Sequence, residues 1–169
     1  ALQAAGKAVH VYGVDISKYA VDLAAKQEKA ATFAVGSVFH LPVSDHCCDG
    51  IFSLFAPYAG IEFQRVLKKQ GTMILGIPGA KHLMGLKQAI YETPYENVVK
   101  PYDLEGFSFV GKQTVTGTIF LPNPTAIQNL FAMTPYYYKT GQKEQERLAA
   151  LETLETEISF ELLQYQRES

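Results

Sequence analysis

Asp15 is the residue whose surroundings first suggest chemistry. It closes Val9-His10-Val11-Tyr12-Gly13-Val14-Asp15, a run rich in β-branched residues that reads as a strand ending in an acid. In open parallel sheets, ligands collect at the carboxyl ends of strands. A carboxylate there can accept hydrogen bonds from both hydroxyls of a nucleoside ribose. A carboxylate balancing the positive end of the next helix fits the same position, and the residues alone leave both roles open. A second strand end follows at Gly36-Ser37-Val38-Phe39-His40-Leu41-Pro42. Gly36 permits close backbone approach, and Ser37 offers a hydroxyl where an adenine edge could lie. His40 fits either that lining or a satisfied loop position, while His10 and His46 read as structural or solvated. Cys47 and Cys48 read as packing residues. Adjacent thiols without partners at zinc spacing cannot supply four ligands, so no metal is expected.

The elements that must position these residues alternate. Strands are expected at Val9–Asp15, Thr32–Gly36, Asp49–Phe55 and Thr72–Ile77. Ser17 should cap a helix running to about Gln27, with Val21, Ala24 and Ala25 on one face, and a second helix should cover Glu62–Lys69 before Gly71. Strand–helix alternation is the signature of a parallel α/β sheet. The second half predicts helices over His82–Tyr91, Pro124–Met133 and Lys143–Glu155, a weakly alternating strand over Gly106–Thr116, and a cleanly alternating one over Thr156–Leu162.

Composition narrows the field further. The 169 residues include 47% apolar and 12% aromatic side chains, enough for one buried core, and only 19% charged ones. This excludes a disordered charged tail protein. Fifteen basic and seventeen acidic residues give a formal charge of −2, which does not suggest a nucleic-acid binder by bulk electrostatics. No apolar stretch of transmembrane length occurs, so no membrane partner is expected, and reduced thiols fit a cytoplasmic protein. Ala1–Gly6 reads as the tail of a helix that no strand precedes. The expectation is a piece of a longer chain, forming a single partial domain over residues 1–169.

The order of acid-ended strand, polar strand end, Leu41-Pro42, loop, Asp49 and apolar strand resembles the S-adenosylmethionine-dependent methyltransferases of the Rossmann-like class. Glu62-Phe63-Gln64-Arg65-Val66-Leu67-Lys68 supports the resemblance. That class commonly has an acid, Arg-Val-Leu-Lys, then Pro-Gly-Gly before the next strand. Lys69-Gln70-Gly71 departs from the pattern but keeps the turn glycine. Pro78-Gly79-Ala80-Lys81-His82-Leu83, Leu86-Lys87, Met133-Thr134-Pro135-Tyr136, Phe55-Ala56-Pro57 and Leu104-Glu105-Gly106-Phe107 are similar to the large-subunit (23S) ribosomal RNA guanine-N1 methyltransferases. The resemblance runs from Val11 to Arg167.

The resemblance implies S-adenosylmethionine as cofactor and ribosomal RNA as partner. By matching position, Asp15 and Ile16 would bind the cofactor, with Asp15 on its ribose, and Gly36, Ser37 and His40 would line the adenine side. Phe55 and Ala56 would floor the methyl-transfer pocket, and His82 would be a further cofactor contact. Tyr136 and Tyr137 are the candidate platform for an extruded base. No general base is singled out. Members of the family carry zinc in an N-terminal domain, followed by a first strand and a Gly-rich loop, none of which is in this sequence. The implied fold is α/β: a Rossmann-like class I methyltransferase sheet with helices on both faces, lacking its first strand and Gly-rich loop. Such a sheet should fall into two halves with unpaired inner edges, which would re-pair or join copies as a homodimer. The cofactor should then bind weakly or not at all. Without a basic stripe, much of the RNA grip should come from the N-terminal domain. Two alternatives are a small-molecule methyltransferase, for example of quinones, and a non-catalytic Rossmann-like interaction module.

Overall fold

Two short runs rich in β-branched and aromatic residues, β1 (Val11–Asp15) and β2 (Ala31–Val35), pair in parallel, with Val11 opposite Ala31 and Asp15 opposite Val35. Parallel neighbours need a crossover, and α1 (Lys18–Gln27) provides it. The cap is the expected one: Ser17 Oγ accepts the Ala20 N–H at 3.3 Å. Gly13 is required by a close approach, since a Cβ there would fall 2.5 Å from the Phe33 ring. The computed structural model describes residues 9–99 and 102–169, so the expected helix tail at Ala1–Gly6 lies outside the described residues.

The remaining elements are β3 (Cys48–Leu54), α2 (Gly60–Val66), β4 (Leu67–Pro78), α3 (Met84–Ile90), β5 (Phe107–Leu121), α4 (Pro124–Ala132), α5 (Gln142–Ala149) and β6 (Leu154–Arg167). Among the described residues the strands form two sheets, one of order β1-β2 and one of order β3-β4-β6-β5. The expected division into two half-sheets is therefore present. Among the described residues, β1 pairs only with β2, and β3 only with β4.

Element boundaries differ from expectation where the backbone leaves helical space. α2 stops at Val66 rather than Lys69, because Leu67 is already extended at φ −72°, ψ 141°. α3 begins two residues late, after Leu83 in the left-handed region at φ 56°. β5 and β6 run beyond the expected Gly106–Thr116 and Thr156–Leu162, the first of which alternates only weakly in sequence. β5 is exposed along most of its length, so one face never acquires an apolar repeat.

The chain divides into two compact units. Among the described residues, one comprises 9–73, 104–108 and 166–169; the other comprises 74–99, 102–103 and 109–165. In the first, burial falls on Ala59, Phe63, Val66, Leu67, Met73 and Phe107, and no described residue before Ala59 is buried. In the second, Leu83, Leu86, Ile90, Ile127, Phe131, Tyr136 and Leu148 make one continuous core. No helix among the described residues is long and apolar enough to cross a membrane.

Candidate nucleoside-binding site

The ends of β1 and β2 meet in the first unit. The Gly36 N–H donates to the Asp15 carbonyl at 3.0 Å, extending the parallel ladder by one bond. The Asp15 side chain is exposed, and its Oδ1 accepts the Ser17 N–H at 2.7 Å. That bond fixes the carboxylate at the mouth of the strand end, just before α1. Ile16, beside it, is 79% exposed.

Beyond Gly36 the chain makes a tight turn. Ser37 Oγ accepts the Phe39 N–H at 3.2 Å, and the His40 N–H donates to the Ser37 carbonyl at 3.0 Å. Ser37 is half-buried and His40 exposed. The close approach at Gly36 is made within the chain: a Cβ there would sit 3.1 Å from Val14 Cγ1 and 3.4 Å from Pro42 Cδ. Sequence reasoning missed Phe39, an exposed ring on this turn and the one most suited to lie flat against a purine. The signal was present, because an aromatic between two expected lining residues has no core to enter.

Phe55 lies directly after β3 and takes φ 56°, a left-handed conformation that costs a non-glycine residue about 1–2 kcal/mol. Its ring is largely exposed, as is Ala56. Strain of this kind gathers where a strand end is shaped for a ligand. Nearby, the Tyr58 hydroxyl is buried with no hydrogen-bond partner among the described residues, and burial raises its pKa. A cavity of about 530 Å³ is lined by His40, Leu41, Pro42, Val43, Ser44, Glu62 and Arg65.

The other expected residues belong to the second unit. His82 is half-buried against Phe160, ring centroids 4.8 Å apart, and its Nδ1 accepts the Ser159 N–H at 3.3 Å. Burial, together with the charge of Lys87, holds the imidazole below its usual range and so favours the neutral ring. Lys87 is fully buried. Its Nζ donates to the Tyr95 carbonyl at 2.8 Å and to Asn97 Oδ1 at 2.7 Å, and lies 4.5 Å from the Tyr95 ring centre. Tyr136 is a core residue whose hydroxyl donates to Asn97 Oδ1 at 3.3 Å, and burial pushes its pKa up to about 12. Tyr137 is 42% exposed and Tyr138 84%, so the ring most open to a base is the third of the three.

The thiols of Cys47 and Cys48 lie 3.6 Å apart, and burial raises the Cys48 pKa to about 11. His46 anchors chain segments: its N–H donates to the Arg65 carbonyl at 2.8 Å, and Arg167 Nη1 lies 2.9 Å from its Nδ1.

Residues 1–75 match the family described as methyltransferase domain. A solved S-adenosylmethionine-dependent methyltransferase from Methanosarcina mazei superposes with a TM-score of 0.56 at 15% identity, over 99% of this chain and 86% of that one. The fold is that of the S-adenosylmethionine-dependent methyltransferases. Within this methyltransferase fold, the chain is 26% identical over 163 residues to YxjB of Bacillus subtilis (strain 168), by name a candidate 23S rRNA (guanine-N(1)-)-methyltransferase. The alignment covers 94% of this chain and 58% of that relative, so the chain spans little more than half the relative's length. A Micromonospora griseorubida protein of similar name is 36% identical over 74 residues, which is 43% of this chain and 25% of that protein.

Proposed function

We propose that this chain is part of an enzyme that transfers a methyl group from S-adenosylmethionine to a guanine N1 of 23S ribosomal RNA. The observation that carries the reading is the paired strand end: an exposed carboxylate at Asp15, joined through the Gly36 N–H to the turn bearing Ser37, Phe39 and His40. An acceptor pair, a hydroxyl and an exposed ring suit a ribose diol and an adenine in that order. When bound, the cofactor supplies an electrophilic methyl group. Asp15 would accept hydrogen bonds from the ribose hydroxyls, with Ile16 beside it. Ser37, Phe39 and His40 would hold the purine. Phe55 and Ala56 would floor the place of transfer, and an apolar floor there would keep water from competing for the methyl group.

Asp15→Asn tests the ribose contact cleanly. The amide oxygen can still accept the Ser17 N–H, but the side chain loses half of its acceptors for the diol. Calorimetry with S-adenosylhomocysteine on the full-length enzyme should show at least about tenfold weaker binding with the melting temperature unchanged. Equal affinity would refute the ribose role.

The formal charge of −2 favours a second reading, a methyltransferase of small neutral acceptors. Labelled methyl transfer to 23S RNA, followed by nucleoside analysis, separates the two: N1-methylguanosine supports the first, and transfer only to small acceptors supports the second. Cytoplasmic location and a partial domain over residues 1–169 belong to the same proposal. So does self-association through the edges of β1 and β3, which carry the exposed residues Val11, Tyr12, Phe52 and Leu54. Light scattering on the eluted protein tests that association, and a monomer at all concentrations would end it.

A further inference from the structure

The loop from Leu41 to His46 connects the candidate adenine turn to β3, and a single turn of α2 grips it. Glu62 Oε1 accepts the Leu41 N–H at 2.6 Å. Arg65 Nη2 donates to the Leu41 carbonyl at 3.1 Å and to Glu62 Oε1 at 2.6 Å, and its Nε donates to Glu62 Oε2 at 2.9 Å. Arg65 Nη1 donates to the Val43 carbonyl at 2.9 Å and to Asp45 Oδ1 at 2.6 Å, and the Arg65 carbonyl accepts the His46 N–H at 2.8 Å. Both backbone groups of Leu41 are thus fixed from α2, one by each member of an i,i+3 ion pair. Glu62 is buried, and the Arg65 guanidinium, helped by the Leu41 N–H, holds its carboxyl down at about 2.

We infer that Glu62 and Arg65 are positioning residues for the nucleoside site: through Leu41 they set where the Ser37–His40 turn stands. This rests on the nucleoside reading given above. Leu41 follows His40 directly, so a backbone pinned at its N–H and its carbonyl fixes the orientation of the preceding peptide. A guanidinium fork is suited to this work because its donors are rigid and planar and can meet two carbonyls and two carboxylates together. Lysine would keep the charge but not the fork.

The test uses Arg65→Met and Arg65→Lys, with Val66→Ala as a control. Val66 is fully buried on the same helix and touches none of these bonds. Two readings are taken for each protein, all made as the full-length enzyme: amide hydrogen exchange along the chain, and S-adenosylhomocysteine affinity by calorimetry. Arg65→Met should speed exchange at Leu41 to Asp45 far more than elsewhere and weaken binding on the order of tenfold or more. Arg65→Lys should fall between it and the unsubstituted protein. Val66→Ala should lower the melting temperature with affinity nearly unchanged. Equal loss of affinity in Val66→Ala and Arg65→Met, or exchange that rises uniformly in Arg65→Met, would overturn the inference. Absence of binding by the unsubstituted protein overturns the nucleoside reading and the ligand half of this inference together, and local exchange then decides the clamp alone.

Discussion

Residues 9–58 and residues 83–148 are built to different standards of burial. The first stretch folds into β1, α1, β2 and β3 with regular hydrogen bonds and a proper cap, and no described residue in it is buried. Tyr19, Leu23, Phe52 and Leu54 are all more than half exposed. The second stretch closes Leu86, Ile90, Ile127, Phe131 and Leu148 from solvent almost completely. Local pattern is enough to set element type in both, but burial needs a facing partner. A ten-residue helix and a two-stranded sheet are marginal without one. The candidate nucleoside site therefore stands on the less buried of the two regions, and the Glu62–Arg65 clamp matters more there than it would over a closed core.

The contrast can be broken by substitution. Phe131→Ala should cost about 3–5 kcal/mol of unfolding free energy, because it empties a closed core. Chemical denaturation checks this, and a cost below about 1 kcal/mol would mean that the core is looser than its burial indicates. Acid should come next and strike the other region. The folded Glu62 carboxyl lies below its ordinary value of 4.5, so its contribution is complete above that pH and is lost as pH falls toward about 2. Exchange at Leu41 should accelerate through that window before the far-ultraviolet circular dichroism changes. Ser17→Ala should cost about 1 kcal/mol, confined to fraying of α1. Leu23→Ala, at an exposed position, should cost no more than about 0.5 kcal/mol. A loss of 2 kcal/mol there would show that α1 is covered in solution, and would erase the difference between the regions.

Much of the first region was legible in the sequence because its signals are local. The acid-ended strand, the Ser17 cap and the parallel β1–β2 pair all follow from residue type at short range, and the division into two sheets follows from the order of strands in the resembled class. Leu67 and Leu83 were not legible. Each is an excellent helix residue forced out of helical space, and only the surrounding fold dictates that. The clamp was half legible: Glu62 and Arg65 stand three apart on a helix, as an ordinary surface ion pair would. Their hold on Leu41, twenty-one and twenty-four positions away in sequence, depends on tertiary structure. Tyr136 shows the opposite limit, since three consecutive tyrosines say nothing about which ring faces the core.

The central claim is that the adjoining ends of β1 and β2 receive a nucleoside. Amide chemical-shift mapping of the full-length enzyme during titration with S-adenosylhomocysteine tests it directly, and registers weak binding as readily as strong. The account predicts saturable shifts concentrated at Asp15, Ile16, Gly36, Ser37, Phe39 and His40. Shifts that cluster elsewhere, or none at millimolar ligand, would contradict it.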